Sequence, residues 1–157
     1  MKLAEAIGSD DFKNMLKDFM PKEAYKRIEI TKMGSVGDDE ELKNLIDTFI
    51  KNNRKQIMKK QCFRNAALLT SLHDDIDYVE GFTGIDLGGS ILPIEHAWNV
   101  WKDKLHFDIT SEIEFGGDIG KGSKNYAKLV VIKSPTKATK LASDVLRASQ
   151  QIARGKL

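Results

Sequence analysis

Three short runs between residues 78 and 110, "YVEGFTGI", "IEHAWNVW" and "KLHFDIT", constrain the fold more than any other feature of this sequence. Each is dense in β-branched and aromatic side chains. Gly, Pro and a Lys102-Asp103-Lys104 turn separate them, so they read as antiparallel strands, with "AKLVVIK" (127–133) as a fourth. Outside this region the apolar period is helical. Ser9 is placed to cap a helix whose face is Phe12, Met15, Leu16 and Phe19, ended by Pro21. "GDDEELKNLIDTFIKNN" predicts a second helix, with Asp38 as cap, Glu41 in the capping-box position, and Leu42, Leu45, Ile46, Phe49 and Ile50 on one face. A further apolar helix begins at "QCFRNAALL", and Ser134 and Pro135 open a closing helix with Ala138, Leu141, Ala142, Val145 and Ile152 inward. The expected fold is therefore α+β, helices packed on an antiparallel sheet. A chain of 157 residues with 41% hydrophobic content suits one domain, 1–157.

Charge and cysteine content narrow the function classes. Lys and Arg total 25 against 23 Asp and Glu, a net charge of +2 that does not point to a nucleic-acid or polybasic membrane protein. One cysteine forms no internal disulfide, the polar start lacks a signal-peptide core, and no apolar run nears the roughly 20 residues that cross a bilayer. These features lead us to expect a soluble, cytoplasmic protein. "IEFGGDIGKGSKN" (113–125) carries four glycines between Gly116 and Gly122 and reads as a loop beside a site. Its Gly-Lys-Gly lacks the spacing, and the Ser or Thr, of a phosphate-binding loop. No cofactor box is present.

Chemistry centres on Cys62. A cysteine nucleophile needs its thiolate, which a helix N-terminus, nearby cations and a histidine partner all favour. Cys62 heads a helix and sits among six basic residues, Lys51, Arg54, Lys55, Lys59, Lys60 and Arg64. A solvated basic face and a buried, inert thiol account for the same residues, so composition alone leaves Cys62 undecided. Among the three histidines, His73, before Asp74, Asp75 and Asp77, reads as the end of a helix followed by an acidic turn. His96 lies in one strand, and His106 and Asp108, two apart, share a face of the next. A hairpin at 102–104 brings these strands together, so that Asp108 or His106 can contact His96. Thiol, base and orienter then fall into place.

The ordered set resembles the transglutaminase-like core of the papain-like superfamily: Gln61-Cys62 opening a helix, "YVEGF" in the strand between, "HAW" at His96, and Asp108-x-Thr110. The resemblance covers roughly residues 58–133, leaving an N-terminal helical part (1–57) and a C-terminal helix (134–157) outside it. It implies that Cys62 is the nucleophile, His96 the general base and Asp108 the orienter, with separations of 34 and 12 residues that suit the family. It also implies Gln61 and Trp98 as oxyanion- or substrate-binding residues, no cofactor, and a protein, peptide or small-amide substrate. Lys60 replaces the usual glycine before Gln-Cys, Phe63 the usual tryptophan after it, and Ile109 the usual proline after the aspartate. These replacements bear on substrate class, since the superfamily includes peptidases, amidases, glutamine cross-linkers and acetyltransferases. The set looks closest to small bacterial and phage proteins of this kind. Hydrolysis is slightly favoured over acyl transfer, and the basic residues around 51–64 favour an acidic partner. Two other readings stay open: an inactive binding module on the same fold, using that basic surface, and a zinc site of Cys62, His96, His106 and Asp108.

Overall fold

A computed structural model of the chain describes residues 3–18, 20–55, 61–115 and 126–134. It is α+β: helices α1 (Leu3–Ile7), α2 (Asp10–Leu16), α3 (Lys22–Tyr25), α4 (Glu40–Asn52), α5 (Cys62–Leu72) and α6 (Ile109–Phe115) accompany five strands. These are β1 (Glu29–Thr31), β2 (Ile76–Asp86), β3 (Ile91–Trp101), β4 (Leu105–Phe107) and β5 (Tyr126–Ile132). They form one sheet in the order β1-β5-β2-β3-β4, every named pair antiparallel.

The long β2–β3 hairpin is the centre of the sheet, pairing Ile76 with Trp101 through to Asp86 with Ile91. Gly88 and Gly89 turn it with positive φ, a conformation that costs a residue without Cβ little. The β3–β4 turn lies where the sequence placed it, with Lys102 and Asp103 both at positive φ (50° and 61°) and Lys104 N–H donating to the Trp101 carbonyl at 3.0 Å. Two left-handed central residues give a turn whose twist matches that of the strands it joins.

Helix α4 follows its apolar pattern, with Leu42, Ile46 and Phe49 buried. Its cap is Asp39, which accepts from Leu42 N–H at 2.9 Å. Asp38 instead closes a capping box with Ser35 on the 3-10 turn Val36–Asp38, so the expected cap is displaced by one residue. Ser9 caps α2 as expected, accepting from Phe12 N–H at 3.2 Å, and Phe12 and Leu16 are buried. Met15 departs from the expected face at 49% exposure. Pro21 does not terminate α2, which ends at Leu16; it precedes the single turn α3, a position where its missing N–H costs nothing. Phe19, the glycine-rich 116–125 and the proposed helix beyond Ser134 lie outside the described residues.

Two clusters fill most of the core. One joins α4, α5 and the hairpin through Leu42, Ile46, Phe49, Leu69, Ile76, Trp101, Phe107 and Ile109. The other seats α1 and α2 on Phe82 and Ala127. Asn99 is the polar hub between α5 and the sheet, through its amide nitrogen; its Oδ1 is buried without a partner among the described residues. Asn99 Nδ2 donates to the Ala66 carbonyl (3.0 Å), Thr70 Oγ1 (2.9 Å) and the Asp77 carbonyl (3.2 Å), which fixes the helix against the hairpin. The Ser134 hydroxyl closes the other end of α5 by donating to the carbonyls of Thr70 and His73. His73 is the residue at which that helix stops, as its sequence context indicates. Among the described residues no helix is long and apolar enough to cross a membrane.

Candidate active site

Cys62 is the first residue of α5, after Gln61. Backbone N–H groups in the first turn of a helix have no intrahelical acceptor, and the aligned peptide dipoles place partial positive charge there. Gln61 makes no side-chain capping bond, and its carbonyl accepts from Asn65 N–H at 2.9 Å. Cys62 is partly exposed. Helix α4 ends at Asn52, so the basic residues are divided: Lys51 closes α4, Arg54 and Lys55 follow it, and Arg64 lies on α5. Lys59 and Lys60 are outside the described residues.

His96 lies on β3 opposite Gly81 of β2. Its Nε2 is 2.6 Å from Asp108 Oδ2. The same imidazole hydrogen-bonds the Cys62 side chain, and with Nε2 committed to Asp108 the nitrogen left for sulfur is Nδ1. The histidine thus bridges thiol and carboxylate. Burial pushes its pKa down, but the Asp108 carboxylate, the hydrogen bond to it and the Cys62 contact outweigh burial and raise it to about 10.

Asp108 corrects the strand expectation. "KLHFDIT" is strand only over Leu105–Phe107; the chain then turns, and Ile109 opens α6. Asp108 therefore does not share a strand face with His106. It precedes α6, where Oδ1 accepts the backbone N–H of Thr110 (3.0 Å) and Ser111 (3.3 Å), the bonds of an N-cap. Oδ2 accepts from the Tyr126 hydroxyl (2.5 Å) and the Ser111 hydroxyl (3.2 Å) as well as facing His96. The side chain has 0% exposure. A carboxylate buried so fully is tolerable only when its oxygens are filled by donors and an opposite charge, and here they are. Burial raises the Asp108 pKa, but the facing imidazolium and the Tyr126 and Ser111 hydrogen bonds win, holding it below the usual carboxylate range.

The remaining expected residues fall elsewhere. Trp98, assigned by the resemblance to substrate binding, is fully buried. Its ring stacks on His96 (centroids 6.3 Å apart, planes 25°) and its Nε1 donates to His106 Nδ1 at 3.0 Å, so it supports the histidine from beneath instead of lining a binding surface. His106 is engaged by Trp98 and not by His96, and burial followed by the nearby Lys128 charge lowers its pKa to about 4. Its Nδ1 is occupied, and among the described residues no group of three or more His, Cys, Asp or Glu side chains converges to hold a metal ion.

Three supporting residues escaped the sequence reading. Asn65, one turn into α5 from Cys62, donates through Nδ2 to Thr110 Oγ1 at 3.1 Å, tying the cysteine helix to the helix that Asp108 caps. A buried asparagine three positions after the cysteine, on the apolar face, was its only signal. Ser111 was legible as part of an Asp-x-x-Ser cap only if a helix had been placed there. Tyr126 had no sequence signal, since nothing relates it to Asp108 until β5 lies beside β2. No protein-family model matches the chain, and neither a curated protein nor a solved structure matches it.

Proposed function

We propose that the protein carries out thiol-dependent acyl chemistry on an amide or ester, with Cys62 as nucleophile, His96 as general acid–base and Asp108 as its orienter. The observation that carries this reading is the single imidazole shared between a helix-opening thiol and a buried, fully hydrogen-bonded carboxylate at 2.6 Å. The transglutaminase-like core belongs to the same proposal, supported by the order of cysteine helix, two long strands and an aspartate beyond them.

As thiolate, Cys62 gives an electron pair to the carbonyl carbon and the C–S bond forms, with the N–H groups opening α5 facing the developing oxyanion. The proton on Nδ1 of His96 passes to the leaving nitrogen or oxygen as its bond to carbon breaks, leaving a thioester. Neutral His96 then takes a proton from water, the hydroxyl adds to the thioester carbon, and the C–S bond breaks to return thiolate and imidazolium. An amine in place of water makes the step a transfer; hydrolysis is slightly favoured, since Cys62 is partly exposed.

Two measurements test this. Iodoacetamide should alkylate Cys62 below pH 7 at a rate that does not fall tenfold per pH unit, as that of an ordinary thiol titrating near about 8.5 does, and His96→Ala should restore the ordinary profile. With p-nitrophenyl acetate, an acetyl group should appear on Cys62 by intact mass and be absent in Cys62→Ala. Ordinary thiol behaviour in the wild type would instead favour a binding module.

A further inference from the structure

The Asp108 carboxylate is over-supplied on one oxygen. Oδ1 takes two backbone N–H groups, which any capping aspartate does, but Oδ2 faces His96 and two hydroxyls, Tyr126 at 2.5 Å and Ser111 at 3.2 Å. The caps would hold α6 without them. Tyr126 is buried, on β5 and 18 residues from Asp108, and its ring stands edge-on to both His96 (5.6 Å) and Trp98 (5.1 Å). A phenol brought this far to an oxygen already engaged by the imidazole acts on the site and not on the cap.

We propose that Tyr126 is a positioning residue, whose hydroxyl, donated to Asp108 Oδ2, keeps that carboxylate charged and aimed at His96, accepting the hydrogen bond of its Nε2–H. This rests on the reading of Cys62 and His96 given above. Around the buried Asp108 carboxylate, each donor on Oδ2 favours the charged form over the neutral acid. Without the phenol, Asp108 takes up a proton at higher pH. A protonated Asp108 no longer stabilises the imidazolium, and the thiolate paired with it is lost. Tyr126 thereby sets the lower pH limit of reactivity. The Tyr126 hydroxyl itself stays protonated, since burial and the Asp108 charge both raise its pKa. The other titratable groups facing this cluster are His96 on β3, Cys62 on α5 and Glu112 on α6.

The test is the pH profile of Cys62 alkylation by iodoacetamide, from pH 3 to 8.5, in wild type and Tyr126→Phe. Phenylalanine keeps the ring against His96 and Trp98. Its acid limb should move upward by about one pH unit while the rate on the plateau stays within about twofold. Site-specific 3-fluorotyrosine at position 126 supplies a stronger donor of nearly the same size and folds even if the phenylalanine variant does not. Its acid limb should move downward. A tyrosine that only fills the core would scale the whole profile without shifting it, so unshifted limbs in the variants overturn the proposal. If wild type itself titrates as an ordinary thiol, the active-site reading fails and the positioning role with it. A persistent wild-type rate with unmoved variant limbs removes the Tyr126 role alone.

Discussion

The indole of Trp98 donates to Nδ1 of His106 at 3.0 Å, which withdraws His106 from the contest for His96 that the sequence left open. With Nδ1 accepting, the ring's proton sits on Nε2 and the histidine is neutral, in line with a pKa lowered by burial to about 4. His106→Gln should therefore leave Cys62 alkylation at pH 7 within about twofold of wild type. Its effect belongs to stability. A histidine whose folded pKa lies below its unfolded value stabilises fully above the unfolded pKa and loses that contribution as pH falls through the folded value. Between about pH 6.5 and 4 the wild type should lose on the order of 1–2 kcal/mol from this group, discounted for its partial exposure, and His106→Gln should lose less. Urea denaturation midpoints at pH 7 and pH 4.5 make the comparison.

Asp108→Asn separates orientation from capping. The amide oxygen still accepts from Thr110 and Ser111, so stability should fall by only about 1–2 kcal/mol. The charge facing His96 is gone, and the amide N–H₂ points a donor at a donor. Alkylation of Cys62 at pH 7 should drop at least about tenfold while circular dichroism is unchanged. Loss of fold together with reactivity would mark Asp108 as structural alone.

Gly81→Ala should be far more damaging than an ordinary strand substitution. Gly81 sits at a register shift where β2 passes β5, opposite His96 on β3. An added Cβ would run into the carbonyl oxygen of Ala127 and lie 2.9 Å from Lys128 Cα, both backbone atoms that cannot rotate away. We expect a loss of about 2 kcal/mol or more in chemical denaturation, and slower Cys62 alkylation in whatever remains folded, because the displaced β2 pairs directly with β3, the strand that carries His96.

Asn99→Ala removes the hub between α5 and the hairpin. Three acceptors, on Ala66, Thr70 and Asp77, lose their donor in a dry interior, and a cavity is left beneath the helix. A destabilisation of about 2–4 kcal/mol is expected by urea denaturation. Below the transition, the accessible thiol should react with less difference between wild type and His96→Ala, since α5 is no longer fixed relative to β3.

What the sequence determined by itself is the set of local elements and the short-range geometry they force. The helical period of Leu42, Ile46 and Phe49, the Ser9 cap, the cysteine at the head of α5 and the tight turn at 102–104 all depend on residues within a few positions of one another. Backbone sterics and side-chain period act over that range, so they can be read directly. The hairpin also put His96 and Asp108 within reach, although for the wrong reason: Asp108 is not on a strand face but caps a helix that β-branched "DIT" disguised as strand. Only the tertiary structure decided which side chain occupies the space beside His96. Trp98 took His106, Tyr126 came to Asp108 from β5, two places in the sheet from the strand of His96, and Asn65 met Thr110 across 45 residues. Those pairings follow from burial. Once β5 and α5 cover the hairpin, the polar atoms sealed inside pair with whatever the packing brings near, Asn99 Oδ1 and Trp101 Nε1 excepted, and no local pattern in the chain encodes that choice.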